Sequence, residues 1–468
     1  MRIKSIFSNS SGILFSRIFG FIRDLMMAWV LGANIYSDIF AVAFKLPNLF
    51  RRIFGEGAFA QSFMPSFIAA KYKSIFSAKI FLYLLGVIVV ISIFVNIFSV
   101  YITKLIAPGF SGENLLLTAK YVAIQFWYLP LIFIVTFLGA LLQYKEHFAT
   151  TAFATVLLNI ALIIAMLLYQ DAPKEQILWA LSWGVIAGGI LQVIIHLIVA
   201  YKFKILKVLI IGFKNLSKKQ QEVKKDTSRF FKNFLPAIWG NSTAQVMSFL
   251  DTWLASFLVS GSISYLYYAN RIFQLPLAIF AIALSVAIFP TISKKIKAKD
   301  IVGSLKEFKK GFWILLYLLT AATIGGIIFS QEIIWLLFER GEFVRANTIA
   351  VAWVLQMYMV GLIPYGLSKL FSLWLFANHQ QGKAAKIATV SLIVYAISAV
   401  ILIEPLGAAG LALSGSFAGI ANFLLVAKNF GVDKFLYIIE KIRVYRFARN
   451  FVVFTIFLLT IKIVWLHI

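Results

Sequence analysis

Residues 80–106 read IFLYLLGVIVVISIFVNIFSVYITKLI. An α-helix rises 1.5 Å per residue, so crossing the ~30 Å hydrocarbon core of a bilayer takes ~20 mostly apolar residues. This stretch is long and apolar enough to do so. Comparable runs lie outward from it near 115–142, 149–169, 176–200, 234–259, 264–292, 311–337, 347–376, 387–403, 407–427 and 448–466. Two more, near 9–31 and 36–70, have the helical pattern but carry charges that lower their hydropathy. The expected fold class is an all-α polytopic membrane protein with about 13 transmembrane helices.

Composition agrees. Of 468 residues, 61% are hydrophobic and 13% are charged, against roughly 25% charged in soluble domains. A chain this apolar has too little polar surface to coat a water-soluble globule, so lipid must be its main solvent. Lys and Arg number 44 against 18 Asp and Glu, a formal charge of +26. Such a surplus can signal nucleic acid. Here the bases fall mostly between apolar runs, as the positive-inside rule predicts for cytoplasmic loops, and no nucleic-acid partner is expected. With no cysteine in the chain, disulfides, thiolate chemistry and Cys-ligated metals are excluded. Arg17, Arg23 and Asp24 interrupt the first apolar run, which makes it a poor signal peptide. It is expected to be retained.

Loop charges set an orientation. With the N-terminus in the cytoplasm, Lys71, Lys73 and Lys79 fall inside, as do Lys218, Lys219, Lys224, Lys225 and Arg229, then Lys294–Lys299, Lys383, Lys386 and the run from Lys441 to Arg449. The alternate loops, such as Gly32–Ser37, Pro108–Asn114 and Glu404–Leu406, are short and poor in bases, and only Glu339–Arg345 is mixed.

The long polar stretch 202–233 divides the chain, which prompts a search for a repeat. YSDIFAVAFKLP (Tyr36–Pro47) matches YLYYANRIFQLP (Tyr265–Pro276) in length and in its Leu-Pro ending. A second proline with a hydroxyl neighbour follows each, Pro65–Ser66 and Pro290–Thr291, and then lysines. Further on, Pro130 precedes Ala154–Val156 and Pro364 precedes Ala388–Val390, with the same Pro-to-Thr spacing of 25. Both copies of each pair have the same expected orientation, so the repeat is parallel. We expect two lobes facing a central cavity: an N-terminal lobe at 1–201, a basic cytoplasmic linker at 202–233, a C-terminal lobe at 234–430, and an extension at 431–468 with one further helix.

An ionisable side chain at mid-bilayer costs about 2.5–3.5 kcal/mol on insertion scales. The first two helices nevertheless hold Arg17, Arg23, Asp24, Asp38, Lys45, Arg51, Arg52 and Glu56. Residues 17 and 24 lie seven apart and share a helix face. Arg23–Asp24 reads either as an internal ion pair or as part of a ligand site, and Arg51–Arg52 either snorkel to headgroups or bind. For the group as a whole the excess of bases points to an anionic ligand, and guanidinium forks match phosphate bidentately. Asp251, Arg271 and Lys369 add to it from the second half. Arg271 occupies the repeat-equivalent of the Arg-rich helix, with Asp251 as its candidate internal partner. Pro47, Gly55, Gly57 and Pro65 bend or interrupt the second helix, as a gate needs.

Enzyme chemistry is thin. His147, His196, His379 and His467 are scattered, and neither a metal-binding HExxH pair nor a P-loop is present. No cofactor and no metal are expected.

At this point SRIFGFIRD (Ser16–Asp24), GANIYSDIFAVAFKLPNLFRRIFGEGAFAQSFMP (Gly32–Pro65), YYANRIFQLPLAIFAIALSVAIFPTIS (Tyr267–Ser293) and LFERGEF (Leu337–Phe343) resemble the MurJ (MviN) family. These are bacterial flippases for lipid II, the undecaprenyl-diphosphate-linked peptidoglycan precursor. The resemblance runs to about residue 430. It implies a MATE-like fold of the MOP exporter class, alternating access, the bacterial cytoplasmic (inner) membrane, lipid II as partner, and a monomer. By motif it carries the family's cavity arginines to Arg17, Arg23, Arg51, Arg52 and Arg271, and its acids to Asp24, Asp38 and Glu56. Gly55 stands where the family usually has Ala. Members typically have fourteen helices, so a chain with thirteen would offer a shallower groove for the lipid tail. Some members carry a sodium site that this sequence gives no carboxylate pair to build. Other readings are an exporter of a different polysaccharide-linked lipid or small molecule on the same fold, a membrane-bound transferase, and a scaffold. A cationic drug would prefer a cavity of acids and aromatics, a transferase would need catalytic acids or metal ligands, and a scaffold leaves the arginines unexplained.

Overall fold

The computed structural model describes residues 3–55, 58–240 and 243–466. All regular structure among them is helical. In chain order the helices are α1 (Ile3–Leu31), α2 (Ile35–Ala43), α3 (Lys45–Gly55), α4 (Ala58–Ala69), α5 (Lys73–Ile97), α6 (Ser99–Ile106), α7 (Gly112–Phe126), α8 (Tyr128–Tyr144), α9 (Ala149–Tyr169), α10 (Lys174–Lys202), α11 (Ile205–Lys214), α12 (Gln220–Gly240) and α13 (Thr243–Ala255). They continue as α14 (Ser262–Pro276), a π-helical stretch (Leu277–Ile282), α15 (Ala283–Lys297), α16 (Ile301–Ile328), α17 (Ser330–Phe338), α18 (Arg345–Val360), α19 (Leu362–Ala377), α20 (Gln381–Phe430), α21 (Val432–Ile438) and α22 (Lys441–Leu466). Among the described residues, nine helical stretches, some of them broken, are long and apolar enough to cross a membrane. The chain forms two compact units, Met1–Gly261 and Ser262–Ile468.

Several expected single spans are broken helices, and their breaks recur in sequence order. Phe98 interrupts the α5–α6 span with φ −102° and ψ 27°, and Phe329 interrupts α16–α17 with φ −102° and ψ 23°. Trp127 parts α7 from α8 three residues before Pro130, and Gly361 parts α18 from α19 three residues before Pro364. Phe44 parts α2 from α3 three residues before Pro47. Each proline is thus the third residue of its helix. Its missing N–H falls in the first turn, where backbone donors have no intrahelical partner. Pro276 behaves differently: it ends α14 and the chain continues as a π-helix, a distortion that often marks functional positions.

Helix α20 contains two spans. Gly407 has φ 56° and ψ −132°, and a Cβ on Gly410 would lie 2.1 Å from the carbonyl oxygen of Leu402. Eight residues along a straight helix would separate those positions by ~12 Å. The chain therefore reverses sharply at Gly407, and Gly410 lets the two arms meet.

Lipid supplies little hydrophobic drive between helices, so close packing and polar contacts carry more of the cohesion. In the first unit α10 approaches α9 through Gly188, where a Cβ would be 2.8 Å from Leu158 Cδ1. Buried polar groups tie α10 to α7, α8 and α9. Tyr128 donates to Gln192 Oε1 at 3.1 Å, Gln192 Nε2 donates to the Ala154 carbonyl at 2.9 Å, and Gln125 Nε2 donates to Ser182 Oγ at 3.0 Å. Phe59 and Phe63 of α4 stack at 5.0 Å and meet Phe230 and Phe234 of α12 edge-on.

In the second unit Phe308, Phe371, Trp374 and Phe430 form an aromatic core. Lys462 of α22 pairs with Glu332 of α17 at 3.2 Å. Elsewhere much of α22 exposes apolar side chains, among them Val453, Ile456 and Phe457, as a lipid-facing helix requires.

Candidate functional site

The charged residues of the first spans are held by specific partners. Gly20 of α1 brings α9 close: a Cβ there would sit 3.6 Å from Asn159 Nδ2. One turn on, Arg23 Nη1 donates to Asn159 Oδ1 at 3.1 Å. The other edge of the guanidinium meets Asp24 Oδ1, from Nη2 at 2.6 Å and from Nε at 3.1 Å. Asp24 is 1% exposed and the Arg23 side chain 13%. The internal ion pair is therefore present, and it also orients the arginine. Asn159 is itself fixed, its amide donating to the carbonyls of Ser16 at 3.4 Å and Thr155 at 3.3 Å. Arg17 is exposed on the same helix.

Asp38 lies in the first turn of α2, which Asn34 caps by accepting the Tyr36 N–H at 2.9 Å. It is 2% exposed, and its Oδ2 accepts the backbone N–H of Gly261 at 2.7 Å. Lys45 donates to Ser248 Oγ of α13 at 3.0 Å. Arg51 reaches back one turn to Asn48 Oδ1, from Nη2 at 3.0 Å and Nε at 3.2 Å. Pro47 is buried in the first turn of α3, and Pro65 is exposed inside α4. Gly55 ends α3. The side chains of Arg52 and Glu56, the surroundings of Gly55, and Gly57 lie outside the described residues.

In the second unit Arg271 Nη2 donates to the Tyr267 hydroxyl, one helical turn earlier, at 2.9 Å. Its guanidinium also sits 5.0 Å from the centre of that ring, within cation–π range. Lys369 is exposed on α19. Within the first unit Arg23 and Asp24 come together, while Asp38 serves the Gly261 loop and Arg51 its own helix. Among the described residues no three His, Asp or Glu side chains gather to hold a metal ion.

Two features escaped sequence reading. The partners that orient the arginines, Asn159 and Tyr267, were not singled out. An amide inside the apolar run of α9 was the available signal for the first, and the i, i+4 spacing for the second. The basic segment 202–233 is also largely helical. Val223, Thr227, Phe230 and Phe234 form the buried stripe of α12, and Lys224, Lys225, Arg229 and Lys232 line a concavity of 680 Å³ on its exposed side.

The fold is that of the multidrug-exporter-like (MATE) transporters of the MOP superfamily. A MATE transporter of that superfamily in an inward-facing conformation aligns over 93% of this chain and 96% of its own, with TM-score 0.66 at 13% identity. A lipid II flippase MurJ in an inward closed conformation aligns over 92% of this chain and 89% of its own, with TM-score 0.78 at 25% identity. The family model for lipid II flippase MurJ matches residues 27–468. A "probable lipid II flippase MurJ" from Helicobacter pylori is 48% identical over 426 residues, covering 89% of this chain and 92% of the relative. One from Buchnera aphidicola is 31% identical, over 91% of this chain and 83% of the relative. The chain belongs to the lipid II flippase MurJ family.

Proposed function

We propose that this chain is a lipid II flippase, moving the undecaprenyl-diphosphate-linked peptidoglycan precursor from the cytoplasmic to the outer leaflet by alternating access. The observation that carries this reading is the 48% identity to a probable lipid II flippase across 89% of the chain. The partly buried, oriented guanidinium of Arg23 supports it, because a diphosphate needs fixed cationic donors in a place lipid would otherwise forbid.

The finer assignment follows from the charges. Arg17, Arg23, Arg51 and Arg52 in the first unit, with Arg271 and Lys369 in the second, serve the diphosphate and its headgroup. Asp24, Asp38 and Glu56 belong to the same substrate site, with Asp24 orienting Arg23 and Asp38 holding the Gly261 loop. Pro47, Gly55, Gly57 and Pro65 are the hinge residues of the broken second span. With about thirteen spans, the loop charges favour a cytoplasmic N-terminus and cytoplasmic basic loops, and the protein acts as a monomer in the bacterial inner membrane. The lobes are 1–201 and 234–430, joined by the basic 202–233 segment.

The test uses cells depleted of their own flippase and rescued by this chain, treated with a hydrolase that cleaves only externally exposed lipid II. Cleavage should return with the wild-type chain and be lost with Arg23→Ala at equal membrane expression. No cleavage with well-expressed wild type would overturn the substrate.

A further inference from the structure

The basic start of α22 is joined to α16 by a set of polar contacts that the transport reading does not use. Lys309 of α16 donates to Glu440 Oε1, and the same carboxylate takes Arg443 Nε at 2.6 Å. Trp313 Nε1 donates to the Ile438 carbonyl at 3.1 Å. Phe447 packs against Tyr317 at 5.1 Å and Trp313 at 6.1 Å. These contacts fix two helices side by side, and between them Trp313, Tyr317, Arg443 and Arg446 line a cavity of 330 Å³.

The chemistry of that cavity is one-sided. Its charged groups are two guanidiniums, which only donate; the Tyr317 phenol can donate as well, while the Trp313 indole N–H is already taken by the Ile438 carbonyl. Glu440 is already balanced by Lys309, so the two arginines leave an excess of positive charge. Arg446 is exposed and has no hydrogen-bond or ion-pair partner among the described residues. The cavity also sits at a boundary. Basic residues run from Lys441 to Arg449, and the apolar part of α22 begins at Phe451. Tyr and Trp side chains favour that depth, where anionic headgroups meet hydrocarbon.

We infer that this cavity binds the phosphodiester of an anionic glycerophospholipid, as a bound lipid distinct from the transported one. Arg446 and the outer edge of Arg443 take the phosphate oxygens, since guanidinium forks match them bidentately. Trp313 and Tyr317 contact the glycerol region. The acyl chains follow the exposed apolar face that carries Val453, Ile456 and Phe457. A zwitterionic lipid would bring an ammonium group into an already cationic cavity, so anionic lipids are preferred.

Native mass spectrometry of the full chain in detergent, titrated with phosphatidylglycerol or phosphatidylcholine of identical acyl chains, tests this. Wild type should hold one phosphatidylglycerol about ten-fold more tightly than phosphatidylcholine, and Arg446→Gln should remove that preference. Arg446 has no internal partner, so the substitution leaves the packing intact. Arg449→Gln makes the same charge change outside the cavity and should keep the preference. Equal losses in both variants would reduce the effect to diffuse attraction and overturn the site, as would an unchanged preference in Arg446→Gln. Displacement of the bound phosphatidylglycerol by millimolar inorganic phosphate would overturn the lipid as the source of the anion.

Discussion

Arg23 on α1 and Asn159 on α9 are 136 residues apart in sequence and 3.1 Å apart at Nη1 and Oδ1. With Asp24 holding the opposite edge of the guanidinium, this contact fixes both the position and the plane of the cation. Preorganisation of this kind lowers the cost of binding an anion, because the side chain does not have to be ordered when the ligand arrives.

It follows that Asn159→Leu should impair transport although Asn159 carries no charge. A hydrogen bond to a charged group contributes about 1.5–3 kcal/mol, so flipping should fall roughly ten-fold or more at unchanged membrane expression. Cleavage of externally exposed lipid II measures it. Full activity in Asn159→Leu would mean that the orientation of Arg23 does not matter.

Tyr267 and Arg271 allow two contributions to be separated. Tyr267→Phe removes the hydroxyl acceptor and keeps the ring; Tyr267→Leu removes both. Cation–π attraction is about 0.5–2 kcal/mol depending on desolvation. Transport should therefore decline in the order wild type, Tyr267→Phe, Tyr267→Leu, with Arg271→Ala lowest. If Tyr267→Leu matched wild type, Tyr267 would have no part in presenting Arg271.

Most of the spans could be read from hydropathy because lipid imposes a length on every apolar run. The interruptions were harder. Proline marks Phe44, Trp127 and Gly361 from three residues away, and Gly407 follows directly on the short turn expected at Glu404–Leu406. Phe98 and Phe329 carry no local signal, since phenylalanine is an ordinary helix residue and only tertiary packing explains a break there. The charged residues of the site were visible as anomalies in apolar helices. Their partners were not, because Asn159 and Gly261 meet Arg23 and Asp38 across large sequence separations. For α12 the buried stripe from Val223 to Phe234 is present in the sequence, but four lysines and arginines among the same residues give the segment the look of a linker.

Asp38 should matter first for stability. Its carboxylate is the acceptor for the buried Gly261 N–H, and leaving such a donor unsatisfied costs about 1–3 kcal/mol. Asp38→Ala should lower the Tm of the detergent-purified chain, and Asp38→Asn, which keeps an acceptor, should lower it less. A loss of transport in Asp38→Asn at unchanged Tm would instead place Asp38 in ligand binding.

Glu440 gives a pH dependence with a definite sign. The hydrogen bond from Lys309, with Arg443 adding to it, holds its carboxyl below the usual carboxylate range. A depressed folded-state value contributes stability above the unfolded value, about 4.3 for Glu, and loses it as pH falls through the lower folded value. Hydrogen exchange at the start of α22, corrected for the intrinsic rate, should stay flat from neutral pH down to the ordinary carboxylate range and rise only below it. Glu440→Gln should show the raised exchange already at neutral pH.

At the far end of α22, Lys462 places an ammonium group among apolar side chains. Its Nζ meets Glu332 at 3.2 Å and also donates to the Ile328 carbonyl. Removing one member of a low-dielectric pair leaves the other charge uncompensated, whereas removing both discards the desolvation cost along with the attraction. Lys462→Met alone should therefore lower the Tm more than Lys462→Met combined with Glu332→Gln, with a coupling of about 1–3 kcal/mol in the double-mutant cycle. The order of those two Tm values is the informative part. If the double variant were the less stable, the pair would be a solvated surface bridge, and α22 would be held mainly by Trp313, Tyr317 and the aromatic contacts of Phe447 and Phe451. If the single variant is the less stable, the ion pair fixes the end of a helix whose remaining faces have only lipid to pack against.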